Sequence, residues 1–210
     1  MSSSCLLQER ELHGLAADKS LCALASHEAG HLLMLWLLDR YAIACGITDG
    51  CGVTKALDVP GEKETPHQRI LYAMSGMVLA GEFELLSELK QHATEPDHFD
   101  PMSDSHYVVG ALSHIDGEPA VVLSQFADVI LRMGNRFRKT HNQAARLLRE
   151  RGAIAFDTIH GMFLPVGRRL WIDSSTKVGC RVSRYSQSVW LEDATRAFHR
   201  MGLPAAARGL

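Results

Sequence analysis

The stretch SHEAGHLLMLWLLD, residues 26–39, sets two histidines and a glutamate into an otherwise apolar run. Such a run folds as a buried helix, and burying three polar groups on it is costly unless something satisfies them together. His27 and His31 stand four residues apart. On a helix both imidazoles then lie on one face, one turn apart, within reach of a single ion. Glu28 follows the first histidine and can reach a water held by that ion without ligating it. This H-E-x-x-H arrangement points to a catalytic Zn2+ with His27 and His31 as two of three protein ligands and one position left open. The metal would lower the pKa of its water to about 7 and polarise a scissile carbonyl. Glu28 is the expected general base, passing the proton to the leaving amine. The expected reaction is hydrolysis of a peptide bond, by an endopeptidase rather than an exopeptidase.

The surrounding pattern is mainly helical (α+β). A short lead-in helix is expected over 4–18 and the motif helix over 20–39, with Ser20 as its N-cap. YAIACGI (41–47) and CGVTKALDV (51–59) read as strands, joined by a hairpin at Asp49-Gly50. After the polar loop 60–66, a helical period over 67–91 predicts a second long helix through Ile70, Leu71, Met74, Val78 and Leu85. A short helix is expected over 104–115 behind Ser103. One or two long helices follow over 120–163, with a break near Gly152. Residues 164–210 hold two short strands and a closing helix ended by Gly202 and Pro204. The domain division expected is a lead-in over 1–19, a peptidase-like domain over 20–163, and an extension over 164–210 packed on it.

The third ligand is open on residue grounds alone. His31 is followed by LLMLWLLDR, with no glycine followed by His or Asp, which excludes the metzincin extension of the motif. Glu82, four residues after Val78, is one candidate. The segment EPDHFDPMSDSHY offers five more: Asp97, His98, Asp100, Asp104 and His106.

HEAGHLL, the hairpin GITDGCGVTKAL, the helix LYAMSGMVLAGEFELL and the segment SDSHYVVGAL together resemble the peptidase domain of the FtsH family of zinc proteases, over about residues 20–160. The resemblance implies a helical zincin-like domain with a small β-hairpin beside the HExxH helix. It implies that Asp104 is the third zinc ligand, Glu82 being the runner-up. It also implies that the strand around Gly52, Val53 and Thr54 pairs with extended substrate. Ser75-Gly76 stands where that family favours two glycines. No G-x-x-x-x-G-K-[ST] loop occurs, so the family's ATP-driven unfolding does not carry over. The expected substrate is a peptide or an unfolded protein, cleaved without ATP.

Bulk properties narrow the setting. A chain of 210 residues with 46% hydrophobic content supports a sizeable core. Its formal net charge of -2 argues against a nucleic-acid partner. The arginine-rich segment 132–151 reads as a solvated helix face. Five cysteines without C-x-x-C spacing read as reduced thiols in a cytoplasmic protein. The longest apolar run, Leu32–Leu38, is far short of the roughly 20 residues that span a bilayer, so no membrane span is expected. The rival class is a zinc-binding regulatory or interaction module of the same fold that does not turn over.

Overall fold

The structure, a computed structural model, describes residues 3–38, 40, 42–48, 50–56, 64–163, 169–172 and 178–181. The chain is mainly α-helical with a small antiparallel sheet. Helix α1 (Ser3–Leu37) is continuous, which corrects the expectation of two helices. Ser20 lies inside it and not at an N-cap, because no proline interrupts residues 3–37 and a lone serine is tolerated within a helix. From Glu28 to Leu38 every residue of this region is buried. A helix apolar all round must be surrounded, and α1 is packed by α2 (Pro66–Ala80), α6 (Arg138–Arg151) and the sheet.

Strand β1 (Ala42–Thr48) pairs with β2 (Cys51–Ala56) through a hairpin whose Gly50 has φ 84°. The other edge of β1 carries the two-residue β3 (Ala153–Ile154), giving the order β2-β1-β3. Strand β2 is therefore an edge strand of this sheet.

The expected single helix over 67–91 is two helices, α2 and α3 (Phe83–Gln91). Thr65 and Gln68 form a capping box at the start of α2, with Pro66 in its first turn. Gly81 ends it at φ 75°, its N–H turned back to Met77 and Val78. A glycine in this left-handed state stops a helix, and the break releases Glu82 from the helical repeat. A 3-10 turn (Pro96–His98) leads to α4 (Asp104–Leu112), where the Ser103 side chain accepts from the His106 N–H, the cap expected there.

The region 120–163 divides twice. Helix α5 (Pro119–Arg136) gives way to α6 at Phe137, a break the sequence did not signal. Gly152, at φ 73°, ends α6 where a break was expected, and β3 and α7 (Phe156–Phe163) follow. Phe163 stacks on Trp36 with ring centroids 5.7 Å apart, closing the core beneath α1. On α6 the buried face is His141, Ala144, Leu147 and Leu148. Around the α5–α6 junction, Arg132 and Arg146 lie on the outside and pair with Asp128 and Glu150 of their own helices.

Strands β4 (Arg169–Ile172) and β5 (Val178–Arg181) are the two short strands expected there, and they pair antiparallel. The closing helix expected before Gly202 lies outside the described residues. Among the described residues no helix is long and apolar enough to cross a membrane.

Candidate metal and catalytic site

A cleft of about 930 Å³ opens where α1, α2, α4 and β2 meet. Its floor is the motif face of α1. His27 Nε2 and His31 Nε2 lie 2.9 and 3.0 Å from the same oxygen, Oδ2 of Asp104 in the first turn of α4. The opposite nitrogen of each ring is also held. His27 Nδ1 meets the Glu82 carboxylate at 3.0 Å, and His31 Nδ1 meets the Tyr72 carbonyl at 2.9 Å.

The carbonyl can only accept, so His31 donates to it from Nδ1 and turns Nε2 toward the centre. The Glu82 carboxylate orients His27 the same way. Two imidazole nitrogens and a carboxylate oxygen that converge like this require a cation among them. In the chain alone, a proton on His27 supplies it. Burial opposes a charged His27, but Asp104 and Glu82 on its two sides outweigh burial and push its pKa up to about 10. Asp104 shows the counterpart: burial would raise its pKa, yet hydrogen bonds from His27 and His31 hold it well below the usual carboxylate range. The donor set and its preset ring orientations fit zinc, which takes imidazole and carboxylate ligands and whose bound histidines commonly donate their second nitrogen to an acceptor.

Glycines make the convergence possible. A Cβ on Gly76 would lie 2.5 Å from His27 Nε2 and 2.6 Å from His31 Nε2, in the space the two rings share. A Cβ on Gly30 would lie 2.6 Å from the Ser75 carbonyl oxygen, so α1 and α2 touch backbone to backbone under the site. Ser75 is accommodated because its hydroxyl turns away to the Tyr72 carbonyl at 2.6 Å.

Glu28 is buried and beside the histidines. The Thr54 hydroxyl donates to its Oε2 at 2.7 Å. Oε1 lies against Gly52, where any Cβ would collide with the carboxylate. Tyr72 fixes this strand in turn, its hydroxyl donating to the Thr54 carbonyl at 2.9 Å. Burial raises the Tyr72 phenol above its usual pKa, so it stays a donor.

The expected residues thus divide clearly. His27, His31, Glu28 and Asp104 come together. Glu82 stands on the outer side of His27 and not among the converging atoms. Of the expected substrate strand, Gly52, Val53 and Thr54 all line the cleft, with Val53 exposed and Thr54 turned inward onto Glu28. The other loop candidates are engaged elsewhere. Asp100 accepts from the Met102 N–H, His106 bonds the Pro96 carbonyl, His98 meets Glu88, and Asp97 lies exposed in the 3-10 turn. The supporting roles of Thr54 and Tyr72 had no signal of their own in the sequence, since each depends on a neighbour brought in from another element. No protein-family profile matches this chain, and no curated protein matches it.

Proposed function

We propose that the chain is a zinc metallopeptidase that hydrolyses peptide bonds in extended or unfolded polypeptides without ATP. The observation that carries this reading is the convergence of His27, His31 and Asp104 in an open cleft, with the Glu28 carboxylate beside them and Oε1 receiving no hydrogen bond among the described residues. Three such ligands leave one position of a tetrahedron for a non-protein group. When bound, zinc supplies a water of lowered pKa and polarises the substrate carbonyl.

The chain's own residues then have separate tasks. Glu28 accepts the attacking water's proton at Oε1 and returns it to the leaving amine nitrogen. Thr54, bonded to Oε2, holds the carboxylate in place for both transfers. Glu82 and the Tyr72 carbonyl keep both imidazoles turned toward the centre. The edge of β2, unpaired among the described residues, offers backbone N–H and C=O groups to an extended chain, a recognition mode that reads conformation more than side-chain identity. Leu24, Val53 and Met102 line the cleft and suit apolar side chains. The thiols of Cys22, Cys45 and Cys51 are free, which suits a reducing compartment, and the cytoplasm is the proposed location.

The deciding experiment is cleavage of unstructured peptides by wild type and Glu28→Gln, with zinc content measured on the same samples. Glu28→Gln should keep its zinc and lose about 10²–10⁴-fold in turnover. Equal cleavage by the two proteins would remove Glu28 as the base. Zinc-loaded wild type that cleaves no peptide would leave a silent metal-binding module of the same fold.

A further inference from the structure

We propose that His92, Glu95 and His98 form a second site for a divalent transition metal, at the mouth of the cleft and separate from the His27–His31–Asp104 centre. His92 caps the end of α3, and the following turn brings His98 back over it. The two imidazoles lie face to face, with centroids 3.6 Å apart and planes 8° from parallel. One nitrogen of each ring and a carboxylate oxygen of Glu95 lie within 4.8 Å of one another. Glu95 Oε2 is 3.1 Å from His92 Nδ1, and Glu88 Oε1 is 3.1 Å from His98 Nε2.

Two imidazoles and a carboxylate within residues 92–98, with Glu88 of α3 beside His98, are ligand types that zinc, nickel and copper accept. The loop has already brought them together, so little chain entropy is lost on capture. The two histidine side chains are 31% and 33% exposed, which lets an ion enter and lets water complete its shell. Parallel rings cannot both hold one ion in their planes. Capture therefore turns one imidazole about its Cβ–Cγ bond and exchanges the stacking contact for a metal bond. Exposed histidine–glutamate pairs alone add little stability, and pairing each ring with its own carboxylate does not require the rings to face each other.

The position gives such an ion leverage. His98 and Glu88 line the cleft. The 3-10 turn is tied to α4 by His106, whose Nδ1 meets the Pro96 carbonyl at 3.1 Å. An ion held at His92 and His98 fixes the turn from which the chain runs into Asp104.

The test is titration of the folded protein with Zn2+ in competition with a chromophoric chelator. Wild type should take up two equivalents, and His98→Ala and His92→Ala one each. His31→Ala should keep one, the weaker, and His31→Ala/His98→Ala none. Glu95→Gln should retain the second site with about 10-fold lower affinity. Unchanged stoichiometry in His98→Ala overturns the proposal. His92→Gln, a smaller change at an exposed helix end, gives the same readout if His98→Ala fails to fold. The proposal does not depend on the peptidase reading. A single equivalent lost in His98→Ala but kept in His31→Ala would uphold this site and defeat the other, and the reverse pattern would do the opposite.

Discussion

Glu82 holds Nδ1 of His27 at 3.0 Å, on the side of the ring opposite the nitrogen that faces Asp104. The two carboxylates therefore do different work on one imidazole. Asp104→Ala should abolish tight zinc binding. Glu82→Ala should weaken it by about 10–100-fold, as removal of an orienting carboxylate does. Chelator competition on the purified variants measures both. Loss of the ion in Glu82→Ala with retention in Asp104→Ala would reverse the assignment.

Gly76 leaves clear the space between α2 and the converging nitrogens. Gly76→Ala should expel the ion, because the new methyl occupies the space between His27 and His31. The site faces an open cleft, so the fold should survive. Near-native far-UV circular dichroism with no bound zinc is the expected result.

Thr54→Val keeps the size of the side chain and removes its hydroxyl from Glu28. A hydrogen bond to a charged group contributes about 1.5–3 kcal/mol. Turnover should fall by about 10–100-fold with KM and zinc content little changed. A change confined to KM would make Thr54 part of a substrate wall and not a support for the base.

Much of this was legible in the chain. The helical content followed from apolar residues at 3.6-residue spacing, and the hairpin from Asp49-Gly50. The motif face followed from the four-residue step between His27 and His31. The split at Gly81 was hidden because a glycine inside a helical pattern looks the same whether it continues the helix or ends it. The place of Asp104 beside the two histidines was open on residue grounds and came only from the resemblance. Asp97, Asp100 and Asp104 sit in one polar segment, and it is docking of α4 against α2 that selects Asp104. Residue type carries no trace of the Tyr72 carbonyl at all, since every residue has one.

Cys45 allows a test of burial by pH. Its thiol is pushed up to about 12, chiefly by burial, from an ordinary 9.0. The unfolded chain loses that proton above about pH 9 while the folded chain keeps it. Stability should be insensitive to this group below pH 9. It should fall as pH rises toward 12, with a slope approaching about 1.4 kcal/mol per pH unit. Urea unfolding of wild type and Cys45→Ala at pH 8 and pH 10.5 checks it. The decline with pH should be shallower in Cys45→Ala, and parallel declines would contradict the assignment.

His27 and Asp104 are 77 positions apart, and His31 and Asp104 are 73. A cation shared by the three is a removable cross-link that closes a loop of that length. A peptide spanning only residues 20–40 carries both histidines and none of the closure, so it would hold zinc far more weakly than the intact chain. That difference in affinity is free energy transferred to the fold: free zinc at 1,000 times the dissociation constant stabilises the folded chain by about 4 kcal/mol. Zinc supply would then set the margin by which the chain is folded. A metal-starved population would keep its fold with a thinner margin and lose its chemistry first.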